Sequence, residues 1–344
     1  MKMGHIDESG IMYVPIEAHS MISNYIISKG DIYISVAGTL GIVGKIPDYL
    51  DGANLTENAN RVTNIKECNR DYLMYYMMSP IIQNIIENER TVGAQPKLAL
   101  QRIRHFMIAL PSKKEQNAIA TALSDIDSLI SALSKKIEKK KAIKQGLMQQ
   151  LLTGKKRLPG FSGEWVEKTI DDTFYCMDNL RVPLNDKQRK KGIYPYCGAN
   201  GIVDYIDDFC IDDNIILIAE DGGNFADFRT KPIAYKISGK IWVNNHAHIL
   251  KAKEGWSQDF LFYHLSHKDI TDTIVGGTRT KLNKKAMLDI LLYIPPTLSE
   301  QTAIASILSD CDKDISSLQS KLGKYKELKQ GMMQQLLTGN IRLI

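Results

Sequence analysis

Residues Glu115–Leu158 read EQNAIATALSDIDSLISALSKKIEKKKAIKQGLMQQLLTGKKRL, and Glu300–Leu343 read EQTAIASILSDCDKDISSLQSKLGKYKELKQGMMQQLLTGNIRL. The two stretches lie at an offset of 185, and about 27 of the 44 positions are identical, so an internal repeat organises the chain. Apolar residues recur at steps of four and three through Ile119, Leu123, Ile126, Ile130, Leu133 and Ile137, and through Ile304, Leu308, Cys311, Ile315, Leu318, Leu322 and Tyr325. That spacing is the seam of a coiled coil. The first copy departs from it at Lys140 and Lys144 and resumes at Leu147 and Leu151.

The ends of both helices are written in the same residues. Ser112 and Thr297 each stand three positions ahead of a glutamate, Glu115 or Glu300, which predicts a capping box at each start. Gly154 and Gly339 follow the last apolar positions and predict left-handed stops. Roughly 40 residues at about 1.5 Å each make a rod on the order of 60 Å, a spacer rather than a core helix.

Each rod follows a globular stretch, so the repeating unit is a domain plus a helix. TVGAQPKL places Gly93, Lys97 and Leu98 where IVGGTRTKL places Gly277, Lys281 and Leu282, an offset of 184. Strand-like runs follow, FMIALP into Pro111 and LLYIPP into Pro296. Earlier, GDIYISVAGTLG from Gly30 parallels DDNIILIAEDGG from Asp212, in each case an apolar strand ending in a glycine turn. A small helix is expected near Tyr72 to Asn88 in the first domain and Phe260 to Thr273 in the second. The predicted organisation is α+β: a mixed domain over 1–111, a helix over 112–154, a second mixed domain over 155–296 and a second helix over 297–340. The two helices are expected to pack antiparallel with approximate two-fold symmetry.

Bulk composition agrees with this organisation. A chain of 344 residues can bury two cores, and 44% hydrophobic with 24% charged residues exclude disordered and fibrous classes. No apolar run approaches the roughly 18 residues of a membrane span, and MKMGHIDESG lacks a signal peptide's apolar stretch, so a cytoplasmic location is expected. The five cysteines are scattered and read as reduced and structural. A net charge of +5 is compatible with a polyanionic partner without demanding one.

The order of these segments resembles a known family. A variable domain, a helix opening EQxAIAxxLSDxD and closing KQGxMQQLLTGxxRL, a second variable domain opening RLPGFSGEW at Arg157, and a second such helix are similar to the specificity (S) subunit of type I restriction-modification enzymes. The resemblance implies two target recognition domains, each reading one half of a split double-stranded DNA site, with the helices as a ruler. It also implies a subunit without chemistry of its own, assembled with two modification subunits that use S-adenosylmethionine and with restriction subunits that use ATP and magnesium. One departure stands out: a stretch resembling RLPGFSGEW is absent in front of Met1, which leaves three readings open, a misplaced start, a trimmed sequence or a first domain abbreviated in nature.

Base reading needs paired donors and acceptors on exposed loops. The repeated glycine-rich loop offers Arg90, Gln95 and Lys97 in the first domain and Arg279 and Lys281 in the second. IWVNNHAHIL adds Asn244, Asn245 and His246, and NFADFRTKP adds Arg229 and Lys231. Each of these also has a plainer reading as a solvated side chain or a turn former. Lys135, Lys136, Lys139, Lys140 and Lys141 read as a solvated face of the rod rather than a phosphate track. GTLGIVGKI at Gly38 lacks the spacing and the hydroxyl of a phosphate loop. His246 with His248, and His264 with His267, lack cysteine or compelling carboxylate partners in the sequence and read as surface histidines rather than a metal site. No catalytic residue is expected. The competing reading is a coiled-coil scaffold whose domains hold peptides and have no DNA specificity.

Overall fold

The computed structural model describes residues 3–4, 6, 11–88, 97–276 and 280–343. The chain divides into two compact units, Met1–Lys136 with Leu318–Ile344, and Ile137–Ser317. Each unit takes one globular domain, the adjoining part of one long helix and part of the other.

In the first unit a short turn of helix, α1 (Ala18–Met21), precedes three antiparallel strands, β1 (Ile32–Ser35), β2 (Val43–Lys45) and β3 (Ala59–Val62), in the order β2-β1-β3. The run around Gly38 is therefore a hairpin between β1 and β2. Within it Gly44 lets the Tyr33 ring cross the partner strand, since an added Cβ would lie only 2.6 Å from the ring's Cζ. Two helices, α2 (Arg70–Met78) and α3 (Pro80–Asn88), occupy the stretch expected as one. The break falls at Ser79, which takes extended backbone (ψ 156°) because the ring of Pro80 disfavours a helical residue before it. Proline then suits the first position of α3, where its missing N–H costs nothing. A short α4 (Leu100–Arg104) leads to the first rod, α5 (Lys113–Leu151).

The second unit opens on β4 (Val166–Thr169), α6 (Ile170–Thr173) and β5 (Phe174–Cys176). The hairpin β6 (Lys191–Gly198) and β7 (Gly201–Ile206) follows, then β8 (Ile211–Ala219), β9 (Ala234–Val243) and β10 (Ala247–Ala252). These make a six-stranded sheet, β5-β10-β8-β9-β6-β7, antiparallel except between β6 and β9. Helix α7 (Gln258–Ser266) stands where a helix to Thr273 was expected. It is followed by α8 (Lys284–Leu288), β11 (Leu291–Ile294), which pairs with β4, and the second rod, α9 (Leu298–Leu337). FMIALP, unlike its counterpart β11, forms no strand.

Within each unit the rods pack antiparallel and share the domain's core. Ile119, Ala120 and Leu123 of α5 join Met333, Leu336 and Leu337 of α9 beneath α2 in the first unit. Leu151, Leu152, Ile304, Ala305 and Leu308 do the same beneath α7 in the second. Both glycine stops form: Gly154 (φ 71°) and Gly339 (φ 76°) are left-handed. Beyond them the N–H groups of Lys156 and Ile341 reach back to the carbonyls of Gln150 and Gln335.

The repeat can now be read residue by residue. Gln116 and Gln301, both buried, accept from the backbone N–H of Asn69 and Ser257, the N-caps of α2 and α7. Tyr75 and Tyr263 donate to Asp127 and Asp312, at 2.9 and 2.8 Å. Burial, with the carboxylate beside it, raises both phenols well above their usual range. Lys329 and Lys144 pair with the same two aspartates at 2.6 Å, each over the tyrosine ring. The departure from the apolar seam at Lys144 is thus an ion pair between rods, and Lys140 likewise pairs with Asp314 at 2.8 Å.

The capping boxes form only by half. Ser112 and Thr297 hydroxyls accept the N–H of Glu115 and Glu300, but neither carboxylate reaches back. An arginine takes each instead: Arg342, from the end of α9's repeat, clasps Glu115, and Arg157, from the end of α5's repeat, clasps Glu300 at 2.6 and 2.7 Å. The Arg342 guanidinium holds the Glu115 carboxyl below the usual carboxylate range. Each helix start is therefore locked by the tail of the other copy.

Candidate nucleic-acid interface

Where β8 ends, Glu220, Asp221 and Gly222 turn out of the sheet, and two further segments join them. The Glu220 N–H donates to His246 O in the β9–β10 turn, and its carbonyl accepts from Leu282 N. Lys281 pairs through its backbone with Val275 and bridges to Asp221. The same crossing exists in the first unit, where Leu98 N donates to Val36 O and Lys97 bridges to Ala37. Val36 and Ala37 thus stand where the second unit has Glu220 and Asp221.

Those two carboxylates anchor a charged network. Lys281 Nζ lies 3.0 Å from Glu220, which also takes Arg181. His246 Nδ1 faces Asp221 at 2.7 Å. Beneath them buried His248 is held at both ring nitrogens, by Asp178 at 2.7 Å and by the Leu282 carbonyl at 2.9 Å. Asp178 also accepts from Ile249 N and lies 3.3 Å from Arg181. Burial raises the Asp178 carboxyl, but the His248 hydrogen bond, the Ile249 amide and the charges of His248 and Arg181 outweigh it, and the net shift is downward. Glu220 behaves alike, with Arg181 and Lys281 outweighing burial. Both groups therefore stabilise the fold above the ordinary carboxylate pKa and lose that contribution as pH falls through the lowered one.

The expectation that His246 and His248 lack carboxylate partners is corrected: each has one. Asp178, Glu220 and His248 offer ligand atoms within 4.8 Å of one another. Arg181 and Lys281 already neutralise the carboxylates, and no lone pair of His248 faces an open space, so the donor set suits an ion-pair network better than a cation.

The structure brings Asn244, Asn245, His246 and Lys281 to one end of the sheet. Asn244 is buried and its Oδ1 accepts from His246 N, so its side chain builds the turn. Asn245 is exposed. Arg229 and Lys231 lie further along the β8–β9 connection that begins at Glu220, Arg229 over the Phe228 ring and Lys231 paired with Asp227. Arg90, Gln95 and Arg279 lie outside the described residues. Lys97 is exposed in the first unit; a separate depression of about 240 Å³ in that unit is lined by Asn24, Tyr25, Glu57, Asn60 and Arg61. No pattern in the sequence marks these or Arg181, whose carboxylate partner Glu220 lies 39 residues away and whose nearer partner Asp178 follows no helical or strand periodicity.

A second correction concerns His264. It stacks on Phe260, and its Nε2 is buried without a hydrogen-bond partner. Burial, helped by the charge of Lys268, pushes it down to about 3. The unfolded chain therefore binds a proton below the ordinary histidine pKa that the folded unit refuses, so stability is complete above that value and falls with pH. Between pH 7.5 and pH 5 the second unit should lose roughly 2 kcal/mol. A His264→Phe chain, melted across the same range, should lose much less; an equal slope would assign the effect elsewhere.

Against this geometry the comparisons with known proteins are direct. The family model for the type I restriction modification DNA specificity domain matches residues 13–145 and again 162–330. The chain belongs to that family, in agreement with the resemblance carried by the two QQLLTG motifs. A Haemophilus influenzae protein provisionally named a type I restriction enzyme specificity subunit is 37% identical over 153 residues, 44% of this chain but only 38% of that protein. The type I restriction enzyme MjaVIII specificity subunit of Methanocaldococcus jannaschii is 24% identical over 308 residues, 79% of this chain and 71% of that one. Among solved structures, the type I restriction-modification S subunit from M. genitalium matches with a TM-score of 0.63 at 17% identity, covering 91% of this chain and 84% of that one. A chain from a structure of complex assembly and conformational transition in the type I R-M system matches with a TM-score of 0.52 at 13% identity, covering 92% and 83%. These two likenesses speak for the fold. Among the described residues no helix is long and apolar enough to cross a membrane.

Proposed function

We propose that the chain is the DNA-specificity subunit of a type I restriction-modification complex, each unit reading one half of a bipartite, asymmetric target. The observation that carries the reading is the duplicated frame. The same Gln, Asp–Lys–Tyr and Glu–Arg contacts seat two domains on the same helix ends, while the loop crossings those domains present differ, Val36-Ala37 in one and Glu220-Asp221 in the other. A repeated mount with unlike tips suits two unlike half-sites. On this reading the chain carries no catalytic group and works in the cytoplasm with two modification subunits and with restriction subunits. Those partners supply S-adenosylmethionine, ATP and magnesium chemistry.

In the second unit, Lys281, Asn245, His246 and Arg279 are the proposed contacts to one half-site, with Arg229 and Lys231 beside them. Lys97, Arg90 and Gln95 serve the other. Arg279→Ala should relax discrimination at one base position of one half-site and leave the other unchanged, read by binding of the assembled complex to single-substitution duplexes. A uniform weakening across all sequences would place Arg279 on phosphate instead. Affinity that is weak, indifferent to sequence and fully salt-labile in the assembled complex would favour the scaffold reading.

A further inference from the structure

The two domains match in strand register as well as in their mounts. β1 pairs with β3 at Ile32↔Val62, Tyr33↔Arg61, Ile34↔Asn60 and Ser35↔Ala59. β8 pairs with β10 at Ile216↔Leu250, Leu217↔Ile249, Ile218↔His248 and Ala219↔Ala247. Each pair in the first unit maps onto one in the second at a constant offset of 184 on the first strand and 188 on the second.

The turn that leads into the second strand of each pair is therefore equivalent too. Thr56, Glu57 and Asn58 stand at the same 188 offset from Asn244, Asn245 and His246. The backbone repeats the match: Asn58 O accepts from Val36 N at 2.7 Å and from Ala37 N at 3.3 Å, as His246 O accepts from Glu220 N at 2.8 Å. Leu98 N and Leu282 N close the two crossings from the other side, at 2.9 and 2.7 Å.

What holds the side chains differs. In the second unit His246 faces Asp221 and Lys281 is drawn to Glu220. In the first, Ala37 and Val36 take those places and bring no carboxylate. Thr56, Glu57 and Asn58 are all exposed, and so is Lys97, which bridges to Ala37. Their main chain is nevertheless fixed, because Ala59 N donates to Thr56 O at 3.2 Å and the doubly bonded Asn58 carbonyl ties the turn to the end of β1. A fixed backbone that presents exposed donors and acceptors is what reading a base edge needs.

We infer that Thr56–Asn58 is the base-reading turn of the first unit, with Asn58 taking an adenine through its side-chain amide and Glu57 accepting from the amino group of a cytosine. This assignment rests on the proposed DNA reading and adds base choice to the cation at Lys97. The Asn58 amide carries one acceptor and one donor, the complement of adenine N6 and N7. A glutamate beside phosphates is repelled unless an amino group faces it, and in the major groove cytosine N4 is such a group.

The test uses the assembled complex containing the full chain, with duplexes singly substituted through both half-sites. The first unit's half-site is the one whose preference survives exchange of the 155–296 segment. Asn58→Ala should lose about tenfold of the preference for one A·T pair in that half-site, and Glu57→Gln about tenfold of the preference for one C·G pair, the other half-site keeping its pattern in both. Neither side chain is buried, so the melting of the chain should not move. Uniform weakening at every sequence would place the turn on phosphate and overturn the inference, as would an unchanged preference in either variant. A complex of the unaltered chain with no preference at either half-site would overturn the DNA reading itself, and this turn's role with it.

Discussion

Arg157→Met is expected to destabilise the second unit by about 3 kcal/mol, the low end of the cost of stripping one partner from a buried ion pair. Glu300 is 2% exposed, and without the guanidinium its carboxylate keeps the long Trp165 N–H contact at 3.4 Å. The low end applies because Arg157 itself is 26% exposed, so water can reach part of the vacated place. Methionine keeps much of the stem's packing on Trp165 and isolates the charge effect. Amide exchange should quicken on the order of a hundredfold in β4 and β11 while the first unit stays unchanged. Adding Glu300→Gln should recover much of the loss, since the unpaired charge goes with it. A change below 1 kcal/mol, or one shared equally by both units, would remove the clasp from the account of stability.

Asp178→Ala should cost a similar amount, about 3 kcal/mol, through the unpartnering of several groups at once. His248 Nδ1 and Ile249 N lose their acceptor, and Arg181 loses one of its two carboxylates, keeping Glu220 and the backbone carbonyls of residue 178, Asn245 and Ala247. The functional effect should exceed the stability effect. His248 ties β10 to the Leu282 carbonyl, the residue beside Lys281, so the proposed contact loop would be held less firmly although Asp178 touches no base. Discrimination between specific and non-specific duplex by the assembled complex should fall at the half-site read by the second unit, and the other half-site should keep its preference. Asp178→Asn, which keeps the acceptor for Ile249, should lie between. Unchanged discrimination in a chain that is measurably destabilised would separate this network from recognition.

The rods, their stops and the doubling of the domains were legible in the sequence because they rest on local rules: apolar spacing, glycine stops and an internal offset. The clasps were half legible. Glu115, Glu300, Arg157 and Arg342 recur at matching places in both copies, but local chemistry pointed the glutamates back at their own caps. Only three-dimensional proximity to the other copy's tail redirects them. Lys144 misled in the same way, because an apolar seam has no place for a lysine unless a partner such as Asp312 is known. The network at Asp178, Arg181, Glu220 and His248 left no trace, since its members are joined only when β10 lies between β5 and β8. Pro80 divides the stretch expected as one helix near Tyr72 to Asn88, because its ring sets the residue before it in extended backbone.

The most direct test of a two-unit reader is the set of methylated sites made by the complex that contains this chain, compared with the set made after the second unit's 155–296 segment is exchanged for that of a relative. The expected result is a target of two short defined motifs separated by unspecified bases, with the exchange rewriting one motif and preserving the other. A single continuous motif, or an exchange that rewrites both, would contradict it.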